Sequence, residues 1–167
     1  MIVKQPVSRT LARAFFAIIA LSLLTSAIAL FTLASSQRDA EAINLAGSLR
    51  MQSYRLGYDM QRGNADLLAH RQAWQHTLNA PALLTLKSWY VPDEVQQRYH
   101  LLQLAWQGVD EKLAQGDYSW YQNHMDEYVA RIDAFVLSLQ HYAEHKIQLV
   151  FAISFACLLY TSPSPRD

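Results

Sequence analysis

The chain has 167 residues, of which 51% are apolar and only 17% charged, with no formal net charge. A neutral surface gives no basis for binding a polyanion, so no nucleic acid is expected among its partners. The single cysteine, Cys157, rules out an intrachain disulfide.

Residues 1–14 carry Lys4, Arg9 and Arg13 and no acid. The uncharged run FFAIIALSLLTSAIALFTLA follows from Phe15 to Ala34. At 1.5 Å per residue it matches the roughly 30 Å hydrocarbon core of a bilayer. A transmembrane helix is expected over 15–35, with 1–14 held in the cytoplasm by the positive-inside rule. A cleaved signal peptide is the competing reading. Its apolar core is only about 7–15 residues long and ends at a small-residue cleavage site. The run seen here is longer and flows directly into a helical pattern.

Residues 36–146 read as four helical stretches separated by punctuation. The first continues from the apolar run to about Arg62 and stops at Gly63, a natural residue just past a helix end. The second runs from about Ala65 to Asn79, before Pro81. Thr85–Val91 is expected to be a loop. Pro92-Asp93-Glu94 opens the third stretch, with proline and acids at the positive end of the helix dipole. Gly116 closes that stretch near Gln115, and Asp117 caps the fourth. On the fourth, Tyr121, Met125, Tyr128, Ile132, Phe135, Leu139 and Tyr142 recur at alternating spacings of four and three. That heptad seam fits nearly parallel helix packing. The expected fold is all-α: an antiparallel four-helix bundle, continuous with transmembrane helices at both ends.

A second apolar run, IQLVFAISFACLLY, occupies 147–160 and is short for a full span. It stops at TSPSPRD. The expectation is a partial second membrane helix, with 161–167 a truncated or non-native tail.

The first helix carries the most informative chemistry. In DAEAINLAGSLRMQSYRLGY, from Asp39 to Tyr58, Ala42, Leu45, Leu49 and Leu56 make an apolar stripe suited to a core. Ile43, Gly47, Arg50, Tyr54 and Gly57 make a second stripe, about 100° round the helix. Two glycines weaken that stripe by roughly 1 kcal/mol each relative to alanine, and an arginine sits at its centre. Glycine allows another helix to come close, which would leave Arg50 partly dried and in need of a partner. Either Arg50 pairs with an acid on another helix or reaches water, or it holds a small anion. Dimerisation along this stripe would bring two Arg50 side chains together, and a planar oxyanion between them would match both guanidinium forks.

The run INLAGSLRMQSYRLGYDMQ, together with RDAEAIN, WYVP at Trp89–Pro92 and FVLSLQHYAEHK at Phe135–Lys146, resembles the nitrate/nitrite sensor histidine kinases of the NarX/NarQ type, on the NarQ side of that family. The resemblance covers about 150 residues and fails after about Ala156. It implies a dimeric periplasmic four-helix input domain between two transmembrane helices in the bacterial inner membrane. It also implies that Arg50 binds nitrate or nitrite from both subunits, with Gly47 beside the anion. Ile43, Met51 and Tyr54 are expected to wall the site. No cofactor and no metal are expected. The kinase core and its phosphorylated histidine are missing from the sequence. This piece is therefore not expected to be an enzyme, and a response regulator would be reached only through the missing region.

Other chemistry is weaker. Arg55 and Arg62 flank Asp59 at spacings of four and three, which suits surface ion pairs. His141, Glu144 and His145 fit an H-x-x-E-H zinc pattern, but no third ligand accompanies them, and interfacial residues explain them better. His70, His76, His100 and His124 are scattered. Trp74, Trp89, Trp106 and Trp120 are expected to pack the core and anchor loops. Three rivals remain: a chemoreceptor-type domain for another small anion, a ligand-free structural membrane protein, and a membrane zinc hydrolase.

Overall fold

The structure is a computed structural model that describes residues 7–63 and 66–161. Lys4, the expected helix start at Ala65, the tail from residue 162 and the side chain of Cys157 lie outside the described residues. Among the described residues, five α-helices follow in order: α1 (Val7–Arg62), α2 (Leu67–Leu78), α3 (Pro81–Leu84), α4 (Asp93–Ala114) and α5 (Tyr118–Thr161). The expected loop after α3 begins instead with a 3₁₀ turn, Thr85–Lys87.

Local chemistry sets the helix ends. Gly63 follows α1 in the left-handed region at φ 61°, which costs glycine nothing. At the end of α4, Gly116 adopts φ 76°. Its N–H donates to the Leu113 carbonyl at 3.1 Å, and the Asp117 N–H donates to that of Lys112 at 3.0 Å. That pairing closes the otherwise open carbonyls of the last turn. Asp117 then opens α5: its Oδ1 accepts from the Trp120 N–H at 3.2 Å and from the Ser119 hydroxyl at 3.1 Å.

Two compact units divide the chain, Gln37–Lys146 and, separately, 1–36 with 147–167. In the second unit many apolar side chains of α1 face outward, Phe15, Phe16, Leu30 and Phe31 among them. Among the described residues, only α1 is long and apolar enough to cross a membrane. Its apolar stretch faces that of α5 across a cleft of about 500 Å³ lined by Leu24, Ile28, Val150 and Phe151.

The Gln37–Lys146 unit is an antiparallel four-helix bundle of α1, α2, α4 and α5, and side-chain bonds give its register. Between α1 and α5, Asp39 pairs with Lys146, Arg50 with Asp133, and the Ser53 carbonyl with the Tyr121 hydroxyl. Numbers rise on one helix as they fall on the other, so the two run oppositely. The same holds for α2 and α4. There Arg71 pairs with Asp110, Trp74 stacks on Trp106 at 3.8 Å, and the Tyr99 hydroxyl donates to the Leu78 carbonyl at 2.7 Å.

The core follows the sequence pattern closely. Ala42, Leu49 and Leu56 are buried, with Leu45 packed partly against them. Five of the seven residues on the α5 seam are fully buried, and Met125 and Tyr142 pack against them. Trp74 is completely buried and donates its indole N–H to Ser53 Oγ at 3.1 Å, so its polar edge is satisfied inside the core. Burial pushes the phenol of Tyr99 up to about 12. It pushes Tyr121 and Tyr128 higher still, as expected of hydroxyls whose ionised form would be desolvated.

Candidate functional site

The outward side of α1 in the bundle unit is unusual for a surface. Alongside Asn44, Arg55 and Gln61, it exposes Met51, Tyr54 and Tyr58, at 70%, 48% and 50% of their full area. A large aromatic or thioether side chain on a surface gains nothing from water, and three within two turns form a contiguous apolar strip. Gly47 lies on the same side. A Cβ added there would meet no heavy atom within 4 Å, so the space above it is open.

Arg50 stands beside this strip. Its Nη1 donates to Asp133 Oδ1 on α5 at 2.8 Å. Both side chains remain about half exposed, 51% and 48%. A pair this wet is screened and worth at most about 1 kcal/mol. A guanidinium has five donors, and this contact engages Nη1 alone. A planar oxyanion would match the remaining donors, exchanging one carboxylate contact for a two-pronged one.

Four of the five residues singled out in sequence gather here: Gly47, Arg50, Met51 and Tyr54. Ile43 is partly buried and packs against the core. Gly57, from the same expected stripe, does not share this face. It is buried against α5, where an added Cβ would lie 2.8 Å from Met125 Sδ. Ten residues at 100° each leave the two glycines about 80° apart on the helix, so one looks in and the other out.

Asp133 escaped the sequence reading. The signal was available in the antiparallel register: an Asp39–Lys146 pair places residues near 133 opposite Arg50. Nothing in the sequence distinguished Asp133 from Asp126 without that register.

Asp59 requires a correction. It does not serve as a surface partner for Arg55 and Arg62 but turns inward, 2% exposed, with its Oδ2 2.5 Å from His70 Nδ1 on α2. Arg62 instead lies over the Tyr58 ring at 4.8 Å. At a different place, α4 and α5 border a concavity of about 270 Å³ that includes Gly108, Trp120, His124 and Arg131. The Arg131 guanidinium donates to Glu127 at 2.7 Å and holds that carboxyl below its usual range. His141, Glu144 and His145 are all exposed.

Comparison with known proteins gives these positions a context. A family model described as the type IV pili methyl-accepting chemotaxis transducer N-terminal domain, PilJ, matches residues 31–128. The nitrate/nitrite sensor protein NarQ of Escherichia coli is 60% identical over 156 residues, which cover 93% of this chain and 28% of that protein. A sensor protein NarQ homolog of Haemophilus influenzae is 34% identical over 161 residues, 95% of this chain and 28% of its own length. The chain thus spans a little over a quarter of the length of these curated relatives. The NarX/NarQ-type resemblance read from the α1 motif is borne out by these matches. With a helical bundle and more than half of the chain matched, this chain belongs to the PilJ-type family of transducer N-terminal domains and is a sensor input domain similar to NarQ.

Proposed function

We propose that the chain is the membrane-anchored input domain of a nitrate/nitrite sensor kinase, and that it binds its anion between two copies at Arg50. The observation that carries this reading is the outward strip of α1, in which a half-exposed guanidinium stands beside an open glycine and three exposed apolar side chains. Twofold pairing along the strip would bury Met51, Tyr54 and Tyr58 and bring two Arg50 side chains together over Gly47. Two like charges in a drying interface repel, and a planar oxyanion between them relieves that repulsion. The apolar stretches of 15–35 and 147–160 anchor the unit in the inner membrane, with the bundle in the periplasm. The kinase and its response regulator belong to the longer protein.

Asp133 supplies the competing state. Without the anion, each Arg50 is tied to α5 of its own chain. With the anion, Arg50 turns to the dimer axis and the α1–α5 tie loosens. The ligand then shifts a two-state equilibrium by its differential affinity for the two arrangements, typically about 1–3 kcal/mol. Since α1 and α5 also contribute the apolar stretches, a changed α1–α5 relation is a physical route for signal to cross the membrane.

Calorimetric titration of the reconstituted chain with nitrate, nitrite and small carboxylates tests this reading. Nitrate or nitrite binding that vanishes in Arg50→Ala, with helicity unchanged, is the expected result. Arg50→Lys should also fail, because an ammonium lacks the planar fork. Unaltered binding in Arg50→Ala would remove the site. The family match to a chemotaxis transducer domain favours one second reading, a different small anion at the same place. Preference for a carboxylate in the same titration would select it.

A further inference from the structure

The connection between α2 and α4 has two sides. Leu83, Leu86 and Val91 point inward and are 5% exposed or less, closing the end of the bundle core. Leu84, Trp89 and Tyr90 point outward. Trp89 is 93% exposed, more than any other large apolar side chain among the described residues. A tryptophan left almost wholly in water, when the same unit buries Trp74 and Trp106 completely, calls for a partner.

The display is built rather than accidental. Trp89 and Tyr90 occupy the two central positions of a tight turn, closed by the Val91 N–H donating to the Ser88 carbonyl at 3.0 Å. Gln96 on α4 clamps that turn from inside, its Nε2 donating to the carbonyls of Ser88 at 3.1 Å and Val91 at 2.8 Å. The two rings meet edge to face with centroids 6.0 Å apart. A clamped turn presents its aromatic pair with little further loss of conformational freedom.

Its position in the bundle identifies the partner. Tyr99 bonds to Leu78 and stacks on Phe135 with centroids 5.6 Å apart, which puts these three at one level. Asp93, where α4 begins, is six residues or about 9 Å beyond Tyr99, in the direction that takes α5 from Phe135 to Lys146, about 16 Å along. Tyr90 and Asp39 both act on the Tyr142 phenol, which burial and those neighbours push up. Lys146 sits over the Tyr142 ring at 5.0 Å and bonds Asp39 at 2.8 Å. The aromatic turn therefore lies at the end of the unit where the chain leaves, at Gln37 and Lys146, for its apolar stretches. Amphipathic rings at such a level partition to the lipid headgroup region.

We propose that the Trp89–Tyr90 turn is an interfacial anchor that seats the sensor unit on the surface of the bilayer, its partner being lipid headgroups rather than a second copy of the chain. This rests on the membrane reading given above. It adds a third point of attachment, on the α2–α4 side of the unit.

Brominated lipids test it, because all four tryptophans, 74, 89, 106 and 120, lie between residues 37 and 146 and none lies in the apolar stretches. The full chain is reconstituted in phosphatidylcholine vesicles brominated near the headgroup end of the acyl chains, and flotation reports incorporation. The wild type should lose about a quarter of its tryptophan emission, one ring in four contacting lipid. Trp89→Phe should abolish that loss while leaving helicity and flotation unchanged. A chain that floats but shows equal quenching in both forms overturns the anchor alone. The same follows if aqueous iodide quenches the Trp89 emission freely. A chain that does not float overturns the membrane reading and the anchor with it.

Discussion

Gly57 and Gly47 lie ten residues apart on α1 and meet different surroundings. Gly57 is packed so closely by α5 that an added Cβ would come within 2.8 Å of Met125 Sδ, while Gly47 has nothing within 4 Å. The residues around each follow suit. On the inward side Leu49, Ser53, Leu56 and Asp59 are all but inaccessible, while on the outward side Met51, Tyr54 and Tyr58 are exposed. One face has its contacts supplied by the chain itself. The other carries the same kind of close-approach residue and the same kind of apolar payload, but leaves Met51, Tyr54 and Tyr58 about half exposed or more. A helix with two interaction faces, only one of them buried within the chain, is the physical basis on which the dimeric anion site is proposed.

Substitutions on the satisfied face should act on stability. The largest effect is expected for Trp74→Ala, which removes a fully buried ring stacked on Trp106 and bonded to Ser53. Truncations of this kind cost about 3–5 kcal/mol, a fall on the order of 10–20 °C in melting temperature for a domain near this size. Thermal unfolding followed by circular dichroism measures it. A fall of only a degree or two would mean that the inward face does not hold the bundle together. Next in size is Asp59→Ala, which leaves His70 without its buried acceptor. The loss of a charged hydrogen bond there should cost about 1.5–3 kcal/mol in the same melts.

Crossing to the unsatisfied face should reverse the sign. Gly47→Ala adds a methyl into open space and improves helix propensity by roughly 0.8–1 kcal/mol, so the isolated chain should melt slightly higher. The same methyl would hold two copies apart at the anion site. Dimerisation, read by analytical ultracentrifugation, and nitrate binding should both weaken as stability rises. A variant that gains stability and keeps full binding would show that Gly47 is not a close-approach point.

Much of this was legible in the sequence, and the reasons differ by residue. Gly63, Gly116 and Asp117 marked helix ends because their backbone chemistry acts locally. The α5 seam from Tyr121 to Tyr142 was legible because a pattern repeated over three heptads fixes one face. The second stripe on α1 was harder. Positions 43, 47, 50, 54 and 57 follow a period of 3.5, and a straight helix drifts about 20° per heptad from that repeat. That drift separates Ile43, Arg50 and Gly57 by only about 40° in all, so which of them is buried depends on the neighbouring helix: Met125 of α5 covers Gly57, while Arg50 reaches out to Asp133 and stays half exposed. The spacing to Arg55 and Arg62 makes Asp59 look like a surface acid. Its inward turn depends on His70 from another helix, which intrahelical spacing cannot reveal. Asp133 likewise needs the α1–α5 register before it acquires a meaning.

The smallest effect on stability, and the sharpest on mechanism, is expected from Asp133→Asn. Its bond to Arg50 is half in water, so folding should change by no more than about 0.5 kcal/mol. Anion binding should respond more. If Arg50 must leave a carboxylate to take nitrate, the native affinity is lowered by whatever that bond is worth. Weakening a pair worth up to about 0.5 kcal/mol would then tighten binding by up to about twofold. The gain should shrink as salt is raised, because exposed pairs are screened within about 10 Å at 0.1 M ionic strength. Calorimetric titration at two salt concentrations reads both effects. A loss of affinity in Asp133→Asn would give the opposite role. The carboxylate would then be aiming Arg50 at the anion rather than competing for it, and α1–α5 coupling would strengthen on binding instead of loosening.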